Sequence, residues 1–225
     1  MLEKGQGLKK EGISSMSILP ILTFPNSLLR KKAKPVKIID DEIKDLIFNM
    51  TDTLKHAQGV GLAANQVGVL KRLCIIKASP EDNYNVYINP EIIKRTGTRF
   101  INEGCLSFPE YNGLVKRSVS ITARYLDETG GKIKITADEL LSQALEHEID
   151  HLNGILFIDH LKEHEKLYKN GIEYGHHNHD VKLSVNVEDN NKKEKFDSKL
   201  YTKIGLDDLN LALEKADILK EVKGK

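Results

Sequence analysis

Between residues 41 and 56 the apolar positions Ile43, Leu46, Ile47, Met50 and Leu54 recur every three or four residues, and Asp40 and Asp41 stand ahead of them as starting residues. That spacing predicts one amphipathic helix. The period then shortens. Leu73 to Ile76, Tyr84 to Ile88, Ile92 to Arg95 and Val119-x-Ile121-x-Ala123-x-Tyr125 predict strands, and Thr129-Gly130-Gly131 turns the last of them into Lys132-Ile133-Lys134-Ile135 as a hairpin. A second helix is expected over residues 137–152, between the capping-box pair Thr136 and Glu139 and the stop signal Asn153-Gly154. Its apolar positions Leu140, Leu141, Ala144, Leu145 and Ile149 wrap around much of the circumference, as in a helix surrounded by protein. Strands in series followed by one buried helix indicate an α+β fold of mostly antiparallel sheet.

The same patterning divides the chain. Residues 1–16 have no apolar centre and read as a disordered tail, residues 17–161 hold the core-forming elements, and residues 162–225 form a polar extension. Within that extension residues 162–204 are expected to be largely irregular, and Leu209, Leu213, Ala216 and Leu219 predict a terminal helix over 206–221.

Composition narrows the classes. The 225 residues carry a formal net charge of +1, which predicts no strong attraction to nucleic acid or to an anionic membrane. No apolar run approaches the ~20 residues needed to cross a bilayer, and the first residues lack the hydrophobic centre of a secretory signal. A cytoplasmic protein is expected. The two cysteines, Cys74 and Cys105, give no disulfide framework, and Cys74, inside Leu73-Cys74-Ile75-Ile76, reads as a core thiol.

The chemistry sits on the second helix, in His147-Glu148-Ile149-Asp150-His151. Two imidazoles four residues apart lie about 40° apart around the axis and roughly 6 Å apart along it, so they can share one metal ion. Cys105, flanked by the turn-prone Glu103-Gly104 and Ser107-Phe108-Pro109, is a thiol at a loop edge and the candidate third ligand. Two histidines and a thiolate fill three corners of a tetrahedron, leaving the fourth for a water that Glu148 can deprotonate. That is the equipment of a metal-dependent hydrolase, and ligand chemistry alone points to zinc.

Competing readings are weaker. Gly59-Val60-Gly61-Leu62-Ala63-Ala64 fits a dinucleotide fingerprint only superficially, since a helix rather than a strand precedes it. A flexible turn, or glycines that let backbone approach a ligand while Gln66 aims its amide into a pocket, are the alternatives. A thiol protease built on Cys105 ignores the spacing of the histidines. A zinc endopeptidase would need a later third ligand, for which His160 and Glu163 are the close candidates. His176, His177 and His179 lie in a polar stretch and read as solvated, and His56 suits a helix C-terminus. Asp150 is either a surface carboxylate or a partner of an arginine such as Arg117.

Three segments in order, Gly59 to Gln66, Glu103-Gly104-Cys105-Leu106-Ser107 and His147 to Gly154, resemble the peptide deformylase family. So do Ile21-Leu22-Thr23-Phe24-Pro25, Leu29-Arg30 and Arg117, and the likeness spans residues 17–161. The resemblance implies antiparallel β-sheets wrapped around a central helix that carries both histidines. It implies removal of the formyl group from the N-terminal methionine of new polypeptides, with nascent formyl-methionyl chains as substrate and a transient ribosome contact. By position Cys105, His147 and His151 resemble the metal ligands, Glu148 the acid/base, and Gln66 with the Leu106 amide the oxyanion donors. The metal the resemblance implies is Fe(II), with Zn, Ni or Co as other divalent ions for the site. Val60, Gly61, Leu62, Ile101, Glu103, Gly104, Leu140, Gln143 and Ala144 are the expected substrate-binding residues. Asn112, where many members carry Arg, and Gln143, often apolar, depart from the usual pattern. A non-catalytic relative that binds formylated peptides or ribosomes remains the reading from another class.

Overall fold

The computed structural model describes residues 18–161 together with the strands Leu167–Lys169 and Ile172–Tyr174. The expected tail, the histidine cluster at 176–179 and the expected helix over 206–221 lie outside these residues.

Helix α1 (Asp41–Ala57) forms where the apolar spacing placed it. Asp40 caps it, its carboxylate accepting from the Ile43 N–H at 3.0 Å, and Gln58 ends it in the left-handed region at φ 53°. Five antiparallel strands run in the order β1 (Gly61–Ala63), β2 (Leu73–Ile76), β3 (Asn85–Thr96), β6 (Ser120–Leu126) and β7 (Lys132–Asp138). A second sheet has the order β4 (Arg99–Cys105), β5 (Phe108–Arg117), β8 (Leu167–Lys169) and β9 (Ile172–Tyr174). Helix α2 (Glu139–Leu152) follows β7. Among the described residues no helix is long and apolar enough to cross a membrane.

The five-stranded sheet is covered on both faces, which explains the unbroken apolar run in β2. Leu73 and Ile75 point to the α1 side with Ile43, Ile47, Met50 and Leu54. Cys74 and Ile76 point to the α2 side with Leu145 and Leu152. Alternation along β1 does the same, sending Leu62 toward α1 and Ala63 toward α2. Each fully buried Leu, Ile or Met in these layers contributes about 1.5–3 kcal/mol. A third cluster, Leu29, Phe108, Val115, Leu156 and Phe157, fastens the segment after α2 onto the second sheet.

Several sequence expectations shift. The runs 84–88 and 92–95 form one strand, β3, with a register shift between Ile88 and Glu91 and with Asn89 at φ 52°. The β4–β5 hairpin was not anticipated, because Gly104, Asn112 and Gly113 interrupt any apolar alternation. The capping box at Thr136 does not form. Thr136 and Ala137 still pair with β6, so α2 begins at Glu139, and its N-cap Asp138 makes no side-chain capping bond. The expected hairpin is present, its turn held by Asp127, which accepts from the N–H groups of Thr129 (2.9 Å) and Gly131 (2.8 Å). Strands β8 and β9 fall inside the segment expected to be irregular, and β8 pairs with β5 at Tyr111, Asn112 and Gly113.

The start of the described chain is clasped to the exit of α2. The Ala33 N–H donates to the Leu152 carbonyl at 2.9 Å, and Arg30 forms an ion pair with Asp159. Gly154 turns at φ 78°, and a Cβ there would sit 2.7 Å from the Arg30 carbonyl carbon.

Candidate active site

Helix α2 is unusual in what it buries: Ser142, Glu146, His147, Glu148 and His151 are all inside. Charged and polar groups are costly to bury unless partnered. Glu146 accepts from the Ser118 N–H (2.7 Å) and hydroxyl (3.1 Å) and from Arg95 (3.0 Å). The two histidines, on successive turns, stack edge to face with centroids 4.8 Å apart.

Cys105 meets them from β4, whose last residue it is, at a register shift just before the turn Leu106-Ser107. Its Sγ lies 3.1 Å from His151 Nε2. One donor atom from each of Cys105, His147 and His151 lies within 4.8 Å of the others. The Ser107 N–H (3.3 Å) and the Gln66 amide (3.7 Å) donate toward the same sulfur. Gln66 is aimed by its own oxygen, which accepts from the Ala63 N–H at 2.7 Å, leaving Nε2 to face Cys105 and Ser107 (3.1 Å).

The electrostatics fit a cation. Burial lowers His151 well below the usual imidazole range, with His147 adding to the effect. Burial pulls His147 the same way, but hydrogen bonds to Cys105 and Glu103 outweigh it and raise that ring well above its usual range. A positive charge is therefore favoured between the sulfur and Glu103, where a soft donor set of one thiolate and two imidazoles suits a divalent metal. Three protein donors leave a fourth position open, as in catalytic rather than structural metal sites. Glu103 Oε2 sits 3.4 Å from His147 Nδ1 and fixes which ring nitrogen faces the sulfur. Glu103 is buried, which raises its carboxyl, yet His147 and Arg117 hold it down at about 2.

Glu148 and His151 depart from this partnering, since neither Glu148 Oε2 nor His151 Nδ1 has a hydrogen-bond partner in the structure. Glu148 is 3% exposed. Burial pushes its carboxyl up to about 7 against the lowering influence of His147. The backbone of β1 lies against it: a Cβ on Gly61 would sit 2.8 Å from Glu148 Cδ, so any side chain there would have to displace the carboxylate.

A cavity of about 520 Å³ opens onto this group. Of the residues expected around a substrate, Val60, Gly61, Glu103, Gly104, Leu140, Gln143 and Ala144 line it, with Gln66, Cys105, Leu106, His147 and Glu148. His151 closes the cluster of Cys105, His147 and His151 from beneath, 1% exposed.

With this geometry in place, the model of the polypeptide deformylase family matches residues 18–167. The chain belongs to that family. A peptide deformylase of Dehalococcoides mccartyi is 46% identical over 156 residues, covering 69% of this chain and 93% of the relative. Peptide deformylase 1 of Clostridium acetobutylicum is 46% identical over 150 residues, covering 67% and 99%. Among solved structures, a peptide deformylase from Legionella pneumophila has a TM-score of 0.63 at 44% identity, covering 65% of this chain and 87% of that one. A Met-Ala-Ser-bound peptide deformylase from Acinetobacter baumannii has a TM-score of 0.62 at 31% identity, covering 65% and 99%.

Two of the residues expected around a substrate, Leu62 and Ile101, are not among those lining the cavity. Leu62 is fully buried, and strand alternation turns it to the α1 side. Ile101 is also absent from the lining, lying two residues before Glu103 on β4, roughly 7 Å further along the strand. Phe108, Tyr111 and Asn112 line it instead, because the unanticipated β5 runs along its edge.

Asp150 resolves in favour of Arg117, whose Nη1 donates to Asp150 Oδ2 at 2.5 Å while its Nε and Nη2 grip Glu103 at 3.1 and 2.8 Å. Sequence reasoning missed the Glu103–Arg117 pair. The signal available was a buried motif acid lying fourteen residues before an isolated arginine, with no spacing rule to join them across a hairpin.

Proposed function

We propose that this chain hydrolyses the N-formyl amide of the first methionine of newly synthesised polypeptides, releasing formate and a free N-terminus. The observation that carries the reading is Glu148: a buried carboxyl with an unpartnered oxygen, lining a cavity beside the converging side chains of Cys105, His147 and His151.

Cys105, His147 and His151 would hold a divalent cation, which when bound supplies Lewis-acid polarisation and acidifies water. Glu148 takes the proton from the water that attacks the formyl carbon, then delivers it to the departing nitrogen as the C–N bond breaks. The Gln66 Nε2–H and the Leu106 N–H donate to the developing oxyanion, and one such donor is typically worth ~3–4 kcal/mol. The methionine side chain rests on Val60, Leu140 and Ala144, with Gln143 at the wall, and its burial contributes roughly 2 kcal/mol. Glu103, Gly61 and Gly104 shape the passage of the peptide backbone, and Asn112 faces the residues that follow.

The family resemblance favours Fe(II), with Zn, Ni or Co as alternatives. Substrate would be met on the nascent chain in the cytoplasm, through transient ribosome contact. Residues 17–161 form the catalytic unit, and the 162–225 extension adds β8 and β9 beside it. Of the two candidate third ligands for an endopeptidase, His160 faces Asp150 and does not line the cavity, and Glu163 lies outside the described residues.

The test is formate release from formyl-Met-Ala-Ser, run anaerobically with Fe(II) and in parallel with Zn(II). Turnover with either metal is expected. Casein cleavage without formate release would point to a peptidase, and tight peptide binding without turnover in metal-loaded protein to a non-catalytic binder.

A further inference from the structure

A chain of hydrogen bonds leads outward from the metal cluster to one residue that no part of the reaction has used. Glu103 Oε2 faces His147 Nδ1 at 3.4 Å, and Arg117 grips both oxygens of Glu103. Arg117 is only 4% exposed and reaches on to Asp150 Oδ2 at 2.5 Å. The same Asp150 oxygen accepts from His160 Nε2 at 2.7 Å. His160 comes from the 3-10 turn Phe157–His160, an element separate from both the β4–β5 hairpin and α2, and its side chain is 33% exposed.

Arg117 has five N–H groups and two carboxylates to divide them between. Were Asp150 free to swing, the guanidinium could follow it and loosen its two-pronged hold on Glu103. A second donor on Asp150 Oδ2 fixes that carboxylate in one rotamer. The geometry points to His160 as a positioning residue: through Asp150, Arg117 and Glu103 it holds the His147 ring oriented for metal binding. This inference rests on the proposed ligand set. A neutral imidazole with its proton on Nε2 suffices, so the role needs no charge on His160. The charged groups facing it are Asp150 and, across that carboxylate, Arg117.

Outer partners of metal ligands typically change affinity by about 10- to 100-fold, and His160 stands further out than those. The expected effect of His160→Phe is about 3- to 10-fold faster metal release to a chelator, followed on Co(II)-loaded protein, together with a shifted Co(II) visible spectrum. His160→Gln, which keeps an N–H donor, should restore both. Thermal melting of the metal-free variants separates this from simple tethering of the 3-10 turn. A lower melting temperature in His160→Phe with unchanged release rate and spectrum would overturn the proposal, as would equal losses in the Phe and Gln variants. If wild-type protein bound no Co(II) at all, the ligand set itself would fall. Loss of the His160 effect alone leaves that set standing.

Discussion

Helices α1 and α2 flank the same sheet and differ in what they hide. α1 buries five of its seventeen residues, four of them apolar and the fifth Thr53, whose hydroxyl accepts from the Leu19 N–H and donates to the Asn49 carbonyl. α2 buries nine of fourteen, five of them polar or charged. Burial on α1 follows from the hydrophobic effect alone. Burial on α2 opposes it, and each inward polar side chain must be matched from another strand or turn: Glu146 by Ser118 and Arg95, His147 by Glu103, His151 by Cys105. Glu148 Oε2 and His151 Nδ1 break that matching. Where a helix buries polarity against its own stability, the chemistry is found.

The contrast can be broken most sharply at Glu148. Glu148→Ala should lower formate release about a thousandfold while metal content per chain, read by elemental analysis, stays unchanged. Substantial residual turnover would remove the acid/base role. Gly61→Ala comes next, because the added carbon would press on Glu148 at 2.8–2.9 Å. A drop of about 10- to 100-fold in kcat is expected, with circular dichroism unchanged. Wild-type kinetics here would mean that the carboxyl can move without consequence. On α1 the effects should invert. Met50→Ala, at a position with no exposure, should cost about 2–5 kcal/mol in denaturant unfolding and leave kcat/KM of the folded protein unaltered. Asp40→Ala should cost only about 1 kcal/mol through the lost cap. If either α1 change altered kcat, the separation of scaffold from site would be wrong.

Both helices and strands β6 and β7 were readable from the spacing of their apolar positions, and β2 from its unbroken apolar run. So was the convergence of Cys105, His147 and His151, since two histidines one turn apart advertise a shared ion. The β4–β5 hairpin was hidden: Glu103 and Arg117 are buried as a pair, which erases the alternation that marks a half-buried strand. The late start of α2 was hidden for a related reason. Ladder bonds from Ser120 to Thr122 of β6 claim residues 136–138 before a capping box can form. The side to which Leu62 turns was not legible, because β1 is too short for sequence alone to fix which face meets α1.

The clasp between Arg30, Ala33 and the exit of α2 has a consequence for how the molecule comes into being. Its halves are separated by most of the described chain, so the seat of the helix that carries His147 and His151 cannot close until translation has passed Gly154. Folding governed by such distant pairings is slower than folding from local turns. A growing polypeptide of this sequence therefore spends most of its synthesis without a working centre.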